Sequence, residues 1–185
     1  MSRCPTLETA RLLMRPFRES DLDDYQRVLS AAPVRKSLHL PERITREDVW
    51  QQMAMFLGQW ELRNHGQWAL EEKATGEFVG RAGPHRPERA DWPGIEVGWT
   101  LHPEHWGKGY ATEAGRAAVD WVFMNHREVD TLYSIILPEN GASQAVAQRL
   151  GYELSEERVL AFFPTKAHGI WTLPRERWAQ RQTAT

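Results

Sequence analysis

The spacing of hydrophobic positions changes several times along this chain, and each change marks an element. In "TLETARLLMRPF", Leu7, Leu12, Met14 and Phe17 stand among polar residues and Pro16 disfavours a helix, so a first strand is predicted. "ESDLDDYQRVLSAA" then sets Leu22, Tyr25, Val28 and Leu29 on one helical face, with Ser20 as N-cap and Asp23 three residues on. "ITREDVWQQMAMFLGQWELRN" repeats that logic. Thr45 and Asp48 form the capping pair, and Val49, Met53, Phe56, Leu57 and Trp60 recur at helical spacing, predicting a longer second helix.

From Gly66 the period shortens. "GQWALEEKATGEFVGRAG" alternates as two strands joined by a tight turn at Ala74, Thr75 and Gly76. After the proline-rich loop "PHRPERADWPG", the run "GIEVGWTL" predicts a fourth strand, central and mostly apolar. A third helix follows, with Tyr110, Ala114, Ala117, Ala118, Trp121 and Met124 on its inner face. "TLYSIILP" is a fifth, buried-type strand. Asn140 caps a fourth helix in which Val146 and Leu150 face inward and Gly151 supplies a left-handed stop, and "YELSEERVLAFFPTKAHGIWTLP" reads as two more strands. The whole is a mixed α/β or α+β domain on one sheet, expected to span residues 1–185 as a single domain.

Composition narrows the function classes. A net charge of -2 with interspersed signs offers no basic stripe for nucleic acid. No segment approaches the ~20 apolar residues that span a bilayer, and the opening lacks a signal-peptide core, so a cytoplasmic protein without a membrane partner is expected. Cys4 is the sole cysteine, which excludes an internal disulfide framework and a CxxC pair. His102 and His105 lack a third ligand nearby in sequence, so no metal is expected, and no G-x-S-x-G elbow supports a hydrolase triad.

One stretch carries the candidate chemistry. In "LHPEHWGKGYATEAGRAAVDWVF", Gly107 and Gly109 stand at the mouth of the third helix, where unpaired N–H groups and the helix dipole attract anions. Glycine there lets the backbone wrap a pyrophosphate, with amides from Gly107 through Thr112 facing its oxygens. The stretch is neither a P-loop, which needs GxxxxGK[ST], nor a Rossmann fingerprint, whose third glycine is replaced by Thr112. Lys108 either adds charge or points to solvent. Glu96, between Ile95 and Val97 on the fourth strand, faces away from their side and is either a base in the cleft or an ordinary ion-paired glutamate. Glu113, in the first turn of the third helix, suits the dipole. Trp92 and Trp99 flank the expected acceptor side, where they would line a pocket for an apolar or aromatic group.

"WGKGYATEA" resembles the R/Q-x-x-G-x-G/A pyrophosphate motif of the GNAT N-acetyltransferases, falling on Trp106, Gly109 and Ala111, with Trp106 in place of the usual Arg or Gln. That spelling is similar to the RimJ/RimL-like branch, as are "LETARLLMRPFRESDLDDY" and "NGASQAVAQRLGYE", and the element order agrees from Thr6 to Leu173. The resemblance implies the GNAT fold, a central mostly antiparallel sheet of about seven strands splayed between the fourth and fifth, with four helices. It implies acetyl-CoA as co-substrate, its diphosphate on Trp106, Gly107, Lys108, Gly109, Tyr110, Ala111 and Thr112, and its pantetheine arm against the backbone near Thr100 and Leu101. By the same resemblance Glu96 is the base that deprotonates the amine, Ser143 the proton donor to the leaving thiolate, and Asn140 a CoA contact as well as a cap. Ser143 also has a plain reading, satisfying a first-turn backbone group. Many relatives carry a tyrosine acid four residues before the LGF-type glycine; here that position is Ala147.

The expected function is transfer of an acetyl group to a primary amine, either a protein N-terminus or a small molecule, by direct attack on the thioester. Cys4, before the first strand, disfavours a covalent enzyme intermediate. The resemblance also suggests two copies pairing through an exposed strand or the C-terminal segment. The alternative is a non-catalytic acyl-CoA-binding or sensing module, which the same glycines and Asn140 would serve.

Overall fold

The computed structural model describes residues 3–183. In chain order the elements are β1 (Leu7–Glu8), β2 (Leu12–Arg15), α1 (Leu22–Ser30), α2 (Ala32–Leu38), α3 (Arg46–Arg63), β3 (Trp68–Glu72), β4 (Phe78–His85) and β5 (Glu96–Leu101). They continue with α4 (Tyr110–Asn125), β6 (Thr131–Ile136), α5 (Gly141–Leu150), β7 (Glu153–Val159), β8 (Ala167–Pro174) and α6 (Arg175–Thr183). The strands make one eight-stranded sheet in the order β1-β2-β3-β4-β5-β6-β8-β7. Every pairing is antiparallel except β5 with β6, and that parallel pair meets at a single register position, Glu96 opposite Tyr133. The predicted splay is therefore present, between β5 and β6.

Eight strands and six α-helices replace the expected seven and four, for local reasons. The predicted first strand is a hairpin: Thr9 N–H bonds the Leu12 carbonyl at 2.9 Å and Leu12 N–H returns to Thr9 Oγ1 at 3.0 Å, breaking "TLETARLL" in two. Helix α2 is only seven residues long and buries only Val34, too little for a helical period to show. Its Pro33 sits in the first turn, where a missing N–H is tolerated, so what looks like a breaker is a start signal. Helix α6 buries no residue; it is held by Trp178, which donates to Asp120 Oδ1 at 2.6 Å and packs on Phe123. Helix α1 also begins differently from expectation: Ser20 lies in a 3-10 turn, Glu19–Asp21, and Asp21 accepts the Arg18 N–H at 2.7 Å. The Thr45 capping box forms as predicted, Thr45 Oγ1 accepting from Asp48 N–H at 3.1 Å and Asp48 Oδ2 from Thr45 N–H at 2.9 Å.

Two apolar layers sandwich the sheet. On one face α1 and α3 close over Phe17, Tyr25, Met53, Phe56 and Phe78; on the other α4 and α5 cover Leu12, Leu70, Val97, Leu101 and Leu132. Helix α4 buries Tyr110, Ala114 and Ala118 as predicted, and with them Gly115, Val119, Val122 and Phe123, so toward its end the inner face is rotated from the predicted one and Met124 is 69% exposed. Gly115 is small because Leu150 of α5 sits where its Cβ would be, which draws the two helices that flank the slot together.

A buried charge cluster fixes the α1 entry. Arg15 Nη2 meets Asp21 Oδ1 at 2.8 Å and Arg15 Nε meets Glu71 at 2.7 Å, with the Arg15 and Asp21 side chains 5% and 4% exposed. Removing one partner strands the other charge in a dry environment. Asp21→Asn should lower stability by about 3 kcal/mol in urea unfolding, whereas a loss under about 1 kcal/mol would make this pair no stronger than a surface bridge.

Candidate active site

The site forms where β5 leaves β6. Tyr133 N–H donates to the Ile95 carbonyl at 3.0 Å, but the next donor along β6, Ile135 N–H, turns to the Glu96 side chain, Oε1, at 3.4 Å. A carboxylate thus stands where a ladder carbonyl would be, and the strands part beyond it. Because alternate residues of a strand direct their backbone groups to opposite edges, Ile95, Val97, Trp99 and Leu101 face the slot while Glu96, Gly98 and Thr100 face β4. The bond from His102 N–H to the Val79 carbonyl, at 3.0 Å, keeps that phase to the strand end. Thr100, expected to offer backbone groups to pantetheine, therefore spends them on β4, and the open positions are those of Trp99 and Leu101. The Leu101 carbonyl is already taken by Trp106 Nε1 at 2.9 Å.

Beside the slot lies an open cleft of about 1220 Å3. Its floor is the end of β5, and its walls are the Thr9–Arg11 turn, the Trp106–Gly109 loop and the first turns of α4 and α5. Gly107 and Gly109 have φ of +75° and +82°, a region that favours glycine, and Gly109 is the N-cap of α4. The loop thus bends so that the Tyr110, Ala111 and Thr112 amides open the helix toward the cleft. Trp106, Gly107, Gly109, Tyr110, Ala111, Thr112, Asn140 and Ser143 all line it, while Lys108 turns aside, its ammonium 3.5 Å from His105 Nδ1. Asn140 caps α5 by accepting Ser143 N–H at 3.1 Å, and the Ser143 hydroxyl makes no hydrogen bond among the described residues.

Arginine side chains that the motif did not indicate complete the cleft. Arg11 donates to the Lys108 carbonyl at 2.7 Å, stacks over Tyr110 and pairs with Glu113 at 2.6 Å. Glu113 also accepts from Thr9 Oγ1 and Arg11 N–H; burial raises its pKa, but these bonds outweigh that and hold it below the ordinary value. Glu113 thereby pins the β1–β2 turn to the α4 N-terminus. Lys36, Arg116 and Arg149 add positive charge around the rim. They come from separate elements, so no run of sequence announces them.

The opposite face of β5 is a different environment. Glu96 is half-buried, and desolvation pushes its pKa up to about 7, against the lowering pull of the Ile135 N–H and of Arg81 and Arg89. Arg81 is anchored to Tyr25 Oη at 2.7 Å and Gln67 Oε1 at 2.9 Å, and His85, paired in register with Glu96, is driven by burial to a pKa of about 3 and stays neutral. The Tyr152 hydroxyl lies buried without a hydrogen-bond partner among the described residues; desolvation first, and the Glu96 charge second, push its pKa well above the usual value. Trp92 lies on this side, in the loop after β4. Trp99 does not join it as expected: its odd-numbered place turns it to the α4 face, near Gly115 and into the cleft. Cys4 is buried in the α4-side core and its thiol is pushed up by desolvation. No group of three His, Cys, Asp or Glu side chains suited to a metal ion occurs among the described residues, and no helix among them is long and apolar enough to cross a membrane.

A helix-capping glycine loop at the foot of a parted parallel strand pair defines a GNAT acetyltransferase. The family model for the acetyltransferase (GNAT) domain matches residues 11–153, and the chain belongs to that family. It is 38% identical over 89 residues to the uncharacterized protein YkkB of Bacillus subtilis (strain 168), a match covering 48% of this chain and 51% of that one, about half the relative's length. The acetyltransferase from Agrobacterium tumefaciens str. C58 superposes with a TM-score of 0.77 at 32% identity, covering 91% of this chain and 94% of that one. The ribosomal-protein-S5-alanine acetyltransferase from Vibrio fischeri shares the fold, with a TM-score of 0.74 at 18% identity over 94% of this chain and 98% of that one.

Proposed function

We propose that this acetyltransferase moves the acetyl group of acetyl-CoA to a primary amine by direct attack of the amine on the thioester. The observation that carries the reading is the parted β5–β6 pair, which sets a phosphate-accepting loop and a raised carboxylate on opposite sides of one slot. The diphosphate would rest on the Gly107 and Gly109 loop and the first amides of α4, neutralised by Arg11 and the arginines of the rim. Pantetheine would lie in the slot as a further strand, against backbone groups of Trp99 and Leu101, and amides there would polarise the thioester carbonyl.

The acceptor would approach from the Glu96 side. Its ammonium gives a proton to Glu96, directly or through water, and the neutral nitrogen attacks the carbonyl carbon. The tetrahedral adduct collapses and the carbon–sulfur bond breaks; Ser143, whose hydroxyl is uncommitted and lines the cleft, protonates the departing thiolate as the general acid, and the second proton lost by the nitrogen passes through water to restore the serine hydroxyl. Free CoA and an N-acetyl amide result. The likeness to the RimJ/RimL branch supports a protein N-terminal amine as one acceptor class and a small amine as the other.

A base with a pKa near 7 predicts the pH profile. In an assay of acetyl-CoA-dependent thiol release, kcat/KM should rise with pH through a limb centred near 7, where the free enzyme loses the Glu96 proton, separate from the acceptor amine's own ionisation above it. Glu96→Gln should abolish that limb. Retention of the limb in the variant would assign it to another group and remove Glu96 from the mechanism.

A further inference from the structure

The acceptor side carries a cation that the fold does not use. Arg89 is half-buried in the loop between β4 and β5, yet it makes no ion pair and no hydrogen bond through its side chain among the described residues. Its guanidinium is held only by faces of aromatic rings, 3.3 Å from the Phe162 centroid and 4.9 Å from that of Trp92. Other arginines of comparable burial reach a hydrogen-bond or ion-pair partner, among them Arg15 to Asp21 and Glu71, Arg81 to Tyr25 and Gln67, Arg63 to Glu88, and Arg175 to three carbonyls. Trp92 Nε1, in the same loop, is a buried donor without an acceptor among the described residues.

The surroundings fix this cation in place without neutralising it. Glu88, next to it in sequence, is paired with Arg63, and Asp91 spends an oxygen on the Ala161 N–H at 2.6 Å, tying the Arg89 loop to the segment between β7 and β8 that carries Phe162. Phe163 of that segment stacks on His168 at 4.3 Å and contacts Trp92. Arg89 and Glu96 are close enough for each charge to act on the other, and Arg81 acts on Glu96 as well. An acceptor at Glu96 thus meets two guanidiniums, one already satisfied and one not. A planar, stacked guanidinium with no hydrogen-bonded anion is prearranged for a carboxylate, which it binds through paired charge-assisted hydrogen bonds. Polyamines, by contrast, would bring positive charge against Arg81 and Arg89.

We infer that the acceptor is a small amine that also bears a carboxylate, of the α-amino-acid class, and that Arg89 is the specificity residue that grips the carboxylate while Glu96 takes the proton from the amine. This rests on the reading of Glu96 as the acceptor-side base. The balance of the transfer is unchanged, since the carboxylate is bound and not altered.

The test compares acceptors that differ only in that charge. A panel of L-amino acids, their carboxamides, spermine and short peptides is assayed by free CoA release, with acetyl-CoA affinity measured separately. The expected result is kcat/KM about 10- to 100-fold higher for an amino acid than for its carboxamide, and loss of that ratio in Arg89→Met, mostly through KM, with acetyl-CoA affinity unchanged. Arg89→Lys should restore part of the ratio and guards against a misfolded variant. Equal turnover of carboxylate and carboxamide, preference for spermine or peptides, or an undiminished ratio in Arg89→Met would overturn the inference while leaving the acetyltransferase reading standing. Absence of acetyl-CoA binding, or of turnover with every amine, would instead take down that reading and the inference with it.

Discussion

Replacing Gly109 with valine should weaken acetyl-CoA binding by about 100-fold, the equivalent of two charge-assisted hydrogen bonds to phosphate lost from the loop. The residue holds φ at +82°, and a β-branched side chain is strained there whatever space surrounds it. A Cβ would also stand 3.3 Å from Arg11 Nη2, crowding the guanidinium that braces the loop through the Lys108 carbonyl. Loop and arginine would shift together, and the Tyr110, Ala111 and Thr112 amides would lose their common focus. Gly141, where an added Cβ meets nothing within 4 Å, is the control: Gly141→Ala should bind acetyl-CoA like the parent. Calorimetric titration measures both. An unchanged dissociation constant in a folded Gly109→Val protein would remove the phosphate from this loop.

Glu96→Gln should cut kcat/KM by about 100-fold or more above the pH limb while leaving acetyl-CoA affinity where it was, since a positioned general base contributes about that much. Glutamine keeps a carbonyl oxygen to accept the Ile135 N–H, so the parting of β5 and β6 survives. Stability survives too. The folded-state pKa is raised to about 7, so the folded protein holds this proton more tightly than the unfolded chain and loses stability as pH rises from the ordinary carboxylate range through that value. An uncharged amide escapes that cost, and a slow variant is therefore slow for chemical reasons. Full activity on a verified acceptor would show that the amine loses its proton elsewhere.

Elements defined by long periods or by capping chemistry were legible in the sequence: the Thr45 box, the Asn140 cap, the Gly151 stop and the hairpin turn at Gly76 all lie where local rules place them. What escaped was decided by tertiary partners. The break in the first strand depends on Thr9 and Arg11 meeting Glu113, more than a hundred residues away, and α6 on one indole finding Asp120. The turn into α4 was readable because Gly107 and Gly109 stand together at a predicted helix start, and both hold a positive φ. Arg11, Arg116 and Arg149 were not, because their shared cleft exists only after α4, α5 and the β1–β2 turn converge. The direction of Trp99 follows from strand parity, which the sequence supplied, but which face of β5 meets α4 needed the helices in place. Tyr152 stands in "LGYE" where the resembling segment reads LGF, and that spelling was the one visible trace of its orphaned hydroxyl.

Direct transfer makes a claim about the protein's own mass. Incubated with acetyl-CoA and no amine, the intact chain should keep its mass by mass spectrometry; once an acceptor is added, N-acetylated amine and free CoA should appear in equal amounts. A protein carrying an added acetyl group that is chased into product, or CoA released with no N-acetyl amine formed, would contradict attack by the amine on the thioester in the β5–β6 slot.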